Sequence, residues 1–119
     1  VAILANVVMG IPTKIEDVSC KGITQITPAD IKKAKEKNCR WKLIGSVKKE
    51  NGMLTASVAP QMLPLEHPLA SVTGATNAVT FTTDLMGDVS IIGAGAGGIE
   101  TGFSILTDLI AVHSRCKLK

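Results

Sequence analysis

Aromatic side chains are nearly absent, with one Trp, two Phe and no Tyr among 119 residues. The core must therefore be aliphatic, built from Val, Ile, Leu and Ala. A ring platform for stacking nucleic-acid bases or sugars is not expected. Cysteine is scarce too: Cys20, Cys39 and Cys116 form an odd, widely spaced set without a C-x-x-C. That argues against a disulfide framework or a zinc site and for reduced thiols in a cytoplasmic protein. Long apolar runs are missing, because Gly, Asn or Asp interrupts every stretch before the roughly 20 residues needed to span a bilayer. A soluble protein without membrane contact is expected. His67 and His113 fall on different elements, have no carboxylate at ligand spacing and belong to no H-E-x-x-H, so no metal is expected. Ser46, Ser57, Ser71 and Ser104 lack a G-x-S-x-G context. No acid, base or nucleophile stands out, and the chain is expected to supply no catalytic residue of its own.

Apolar residues make up 45% of the chain, enough for one core of ordinary domain size. The net charge of +3 is uneven. Lys32, Lys33, Lys35, Lys37, Arg40, Lys42, Lys48 and Lys49 crowd one segment, mixed with Asp30, Glu36 and Glu50 and without a pattern of interleaved aromatics beyond the single Trp41. This reads as a solvated face, and nucleic acid is not expected as a partner. The apolar start, Val1 to Met9, has no basic region before it and no initiator Met, so it reads as the interior of a longer pattern and not as a signal peptide.

Periodicity and turn signals predict an α+β arrangement, with two hairpins in one antiparallel or mixed sheet of about four strands, flanked by helices. A helix over 2–9 stops at Gly10 and Pro12. Thr27-Pro28-Ala29-Asp30 gives the clearest helix start, with a cap, a proline at the first position and an acid at the third. This helix should run to about Lys37 on the surface, with Ile31 and Ala34 facing inward. Alternation over 40–49, an Asn51-Gly52 turn and alternation over 53–59 give the first hairpin. Pro60, Pro64 and Pro68 should then hold an irregular crossing segment. Val79–Thr83 and Val89–Ile92, joined through Leu85 to Asp88, give the second hairpin, and a last apolar helix should run from about Glu100 or Thr101 to His113. Asp108 interrupts that helix; pairing with a cation or a place at a domain boundary is its simplest reading.

Gly93-Ala94-Gly95-Ala96-Gly97-Gly98 joins the last strand to the last helix. Glycines in a G-x-G-x-x-G turn let backbone approach a phosphate at a helix N-terminus. The dinucleotide fingerprint also needs a further strand and an acid about 20 positions on, which here would fall at or beyond Lys119. The loop therefore reads either as close packing or as half of a site for a phosphate or cofactor ring, with the other half elsewhere.

Val58-Ala59-Pro60, Leu63-Pro64, His67-Pro68-Leu69-Ala70, Gly74, Asn77-Ala78-Val79, Gly87, Gly93 to Gly97, Thr101 and Asp108-Leu109 occur in this order. Together with Ile3-Leu4-Ala5, Gly22-Ile23, Ile31, Ala34 and Lys42 to Gly45, they resemble the C-terminal half of the homoserine dehydrogenase family. The resemblance implies interconversion of L-homoserine and L-aspartate 4-semialdehyde with NAD or NADP in threonine and methionine biosynthesis. It implies a small-molecule substrate, a cytoplasmic homodimer joined through the sheet, and a nucleotide-binding domain upstream. Residues 1–97 would be the end of the catalytic and dimerisation region, and 98–119 a terminal helix packing on the absent nucleotide-binding domain. The catalytic acid and lysine and the monovalent-cation site would also lie before Val1, leaving the segment alone inactive. Gly97, with Gly95 and Ala96, matches the cofactor-contacting position, near the nicotinamide end. Glu100 departs from the pattern, which has proline before the threonine. A stand-alone oligomerisation module is the rival expectation, and a small-ligand regulatory domain a weaker one.

Overall fold

The computed structural model describes residues 1–50 and 52–117, in two compact units, Val1–Ala70 and Ser71–Lys119. Asn51, half of the expected turn, lies outside the described residues.

In the first unit, α1 (Ala2–Val8) leads through a short 3-10 turn to β1 (Ser19–Cys20), α2 (Pro28–Glu36), β2 (Cys39–Glu50) and β3 (Met53–Pro64). Thr27 caps α2 as its sequence demands: the Thr27 side chain accepts from the Asp30 N–H at 3.2 Å, and the Asp30 carboxylate accepts from the Thr27 N–H at 3.0 Å. Ala34 is the buried contact of α2, whereas Ile31 is 46% exposed. Asn38, at φ 53°, ends the helix in the left-handed region and turns the chain into β2. There the Trp41 indole N–H donates to the Asp30 carbonyl at 3.3 Å, fastening helix to strand.

β2 and β3 pair antiparallel from Cys39↔Pro64 to Glu50↔Met53, with Gly52 at φ 80° in the turn. The strand passes through Pro60 and Pro64, which the sequence had assigned to an irregular crossing. Strand β1 explains how: it pairs parallel with β3 only at Ser57 and Val58, and its last bond is Lys21 N–H to Val58 carbonyl at 2.8 Å. From Ala59 onward β3 has β2 alone as a strand neighbour, the edge setting in which a sheet tolerates proline. Gly45 admits α1 to this sheet, since a β-carbon there would meet Val1 Cγ2 at 2.6 Å.

The second unit holds β4 (Thr76–Thr83), β5 (Gly87–Ala94) and α3 (Gly98–Lys117). β4 and β5 are antiparallel and form a sheet of their own, so the two hairpins do not share one sheet as the sequence suggested. Thr83 closes the tight end, its hydroxyl donating to the Gly87 carbonyl at 3.1 Å and accepting from the Met86 N–H at 3.0 Å. Helix α3 begins two residues before the expected start and runs on past His113.

Among the described residues the buried apolar ones are Ala5, Ala34, Ala56, Leu63 and Ala70, four methyl side chains and one leucine, all in the first unit. An ordinary core buries far larger side chains, each stabilising by about 1.5–3 kcal/mol. Here they stand open: Ile3 and Val7 of α1 are each 77% exposed, and Phe103, Leu109 and Ile110 of α3 are 69%, 62% and 58% exposed. Faces this apolar mark interaction surfaces. Among the described residues no helix is long and apolar enough to cross a membrane.

Candidate cofactor loop

Gly95, Ala96 and Gly97 form the whole connection between β5 and α3. The register of the hairpin fixes its start: Thr76 pairs with Ala94 and Asn77 with Gly93. One step beyond, the Ala75 carbonyl accepts from both the Gly95 N–H at 3.3 Å and the Ala96 N–H at 3.2 Å. Two amides of the glycine loop are thus engaged within the protein. An anion at this loop would meet the Gly97 N–H and the open N–H groups of the first turn of α3.

The two glycines are bare for different reasons. A β-carbon on Gly95 would fall on the side-chain amide of Asn77. Gly97 lies at φ 147°, a conformation costly for other residues, and a β-carbon there would fall on the Glu100 carboxylate. The Gly97 carbonyl accepts from the Thr101 N–H at 3.0 Å and so starts the helix ladder. The loop consequently offers flat backbone edged by an amide and a carboxylate. The role of Asn77 is not legible in the sequence, because it depends on the register that sets this residue opposite Gly93.

The remaining candidates are dispersed. His67 belongs to a turn, with its Nδ1 accepting from the Leu69 N–H at 3.1 Å. His113 and Asp108 are exposed on α3. Cys20 and Cys116 are exposed thiols, and half-buried Cys39 donates from Sγ to the Lys37 carbonyl at 3.3 Å. Among the described residues no three His, Cys, Asp or Glu side chains gather as metal ligands would. Asp30 has its carboxyl held below the ordinary carboxylate value, first by the Thr27 hydroxyl and then by the Thr27 N–H. In the first unit a groove of about 530 Å³ opens between α2 and β2, lined by Ile23, Ile26, Ile31, Trp41, Leu43 and Leu65 among others. The groove is not legible in local pattern, because Ile23 and Ile26 line it from a loop.

A family model described as homoserine dehydrogenase matches residues 1–110. The chain belongs to the homoserine dehydrogenase family. It is 47% identical over 120 residues to the NAD(+)-dependent homoserine dehydrogenase of Pseudomonas canavaninivorans, covering 100% of this chain and 34% of that one. To homoserine dehydrogenase of Methanocaldococcus jannaschii it is 42% identical over 117 residues, covering 98% and 33%. Among solved structures, S. aureus homoserine dehydrogenase at pH 8.5 superposes with a TM-score of 0.85 at 34% identity, covering 98% of this chain and 29% of that chain. The enzyme from Thiobacillus denitrificans gives 0.85 at 34%, covering 92% and 25%. The chain thus spans about a third of the length of the curated relatives it matches. The α+β class read from its sequence agrees with these neighbours.

Proposed function

We propose that this segment supplies one wall of the nicotinamide pocket, and the sheet of a cytoplasmic homodimer, in an enzyme that interconverts L-homoserine and L-aspartate 4-semialdehyde. NAD is the favoured cofactor, in keeping with the relative named NAD(+)-dependent at 47% identity. The pathway is the threonine and methionine branch of amino-acid biosynthesis.

The observation that carries the reading is the bare loop at the β5–α3 junction. A nicotinamide ring packs on backbone free of large side chains, and the Gly95 to Gly97 loop carries only one methyl group, with Asn77 and Glu100 covering one side of its two glycines. A pyrophosphate needs several free amides, and those of Gly95 and Ala96 are engaged by Ala75. The residues present therefore fit the nicotinamide end of a dinucleotide, leaving the Gly97 N–H and the first turn of α3 as the donors for an anion. A nicotinamide held here by the 95–97 loop would supply a hydride acceptor or donor for the carbon bearing the alcohol or aldehyde. The work of this chain is positioning: Ala75 fixes the height of the loop, the glycines make room for Asn77 and Glu100 against it, and α3 carries the loop on a rigid element. The acid and lysine of the reaction belong to the part of the family's length that this segment does not cover. The open faces of α1 and α3 are the seats for that part.

Homoserine-dependent reduction of NAD⁺, followed by nicotinamide absorbance, tests this. A polypeptide of the relatives' full length carrying this segment turns over, and the 119-residue chain alone does not. Turnover by the 119-residue chain would overturn the assignment.

A further inference from the structure

Glu100 holds a negative charge directly over Gly97, in the first turn of α3. The position is the one at which this chain departs from the family pattern. With the Gly95 and Ala96 amides already bonded to Ala75, this carboxylate is the one charged side chain of the 93–101 segment, beside the open amides at the start of α3. A carboxylate beside a nicotinamide ring does not treat its two oxidation states alike. The oxidised ring is a cation and the dihydronicotinamide is neutral, so only the former gains Coulomb energy.

We propose that Glu100 determines the oxidation-state preference of this site, strengthening binding of the cationic nicotinamide relative to the reduced, neutral one. The inference rests on the cofactor reading of the loop given above. The carboxylate is exposed, which places its effect between the protein-surface and bulk-water limits. Unit charges about 6 Å apart then give a preference of roughly tenfold. A carboxylate that served only the helix dipole would act through stability and weaken both forms of the cofactor equally.

Dissociation constants for NAD⁺ and NADH, measured by calorimetry on the full-length polypeptide, decide the matter. Glu100→Gln keeps the shape and removes the charge. It is expected to weaken NAD⁺ by roughly tenfold and to leave NADH unchanged, with the difference shrinking as salt is raised. Glu100→Asp, which keeps the charge, is expected to retain most of the preference. Hydrogen–deuterium exchange of the 93–101 segment separates the two possible failures. Equal effects on both forms, with NADH still protecting that segment, overturn the role of Glu100 and leave the cofactor reading standing. Absence of protection by either form overturns both.

Discussion

The side-chain amide of Asn77 fills the space that a β-carbon on Gly95 would need. Asn77 sits on β4 opposite Gly93, so the strand register delivers this side chain to the loop. The glycine is therefore required by a neighbour, independently of its own backbone angles.

Gly95→Ala is expected to destabilise the second unit by about 1–3 kcal/mol, the usual cost of forcing a packed site apart. Because the nearest atoms belong to Asn77, adding Asn77→Ala should recover part of the loss. A double-mutant cycle by thermal or denaturant unfolding measures the coupling, expected at about 0.5 kcal/mol or more. Strictly additive effects would remove Asn77 from the explanation.

How much of this was legible in the sequence depends on how local each cause is. The cap of α2 is encoded within four residues, Thr27 to Asp30, and is legible there. The two hairpins follow from alternation and turn residues, which are equally local. The β1 strand was not legible, because its two residues are extended only through pairing with Ser57 and Val58 far along the chain. For the same reason Pro60 and Pro64 looked like breakers: their tolerance depends on which side of β3 is left open. The glycine loop announced itself by composition, but its engagement by Ala75 depends on a register that no local pattern displays.

The Asp30 carboxyl gives a pH test of the α2 cap. Its folded value lies below the ordinary 3.8 because Thr27 donates to it. A depressed value means the cap contributes fully above about 3.8 and is lost as pH falls through the lower, folded value. An NMR titration should place the Asp30 midpoint below 3.8, and Thr27→Ala should move it upward. An unshifted midpoint in the unsubstituted chain would contradict the cap.

Open apolar faces predict a contrast between short and long polypeptides. Phe103 and Ile110 are 69% and 58% exposed on α3, so Phe103→Lys and Ile110→Lys should leave the thermal midpoint of the 119-residue chain nearly unchanged and reduce its binding of a hydrophobic dye. In the full-length polypeptide, where α3 is expected to pack on the nucleotide-binding domain, each should cost about 2 kcal/mol. Equal tolerance in both would mean that α3 has no partner there.

The most direct test of the central claim is an NMR titration of the glycine-labelled full-length polypeptide with NAD⁺. The amide resonances of Gly95 and Gly97 are predicted to move saturably, with the same dissociation constant that calorimetry gives for the cofactor. Saturable binding of NAD⁺ that leaves both resonances in place would contradict the account.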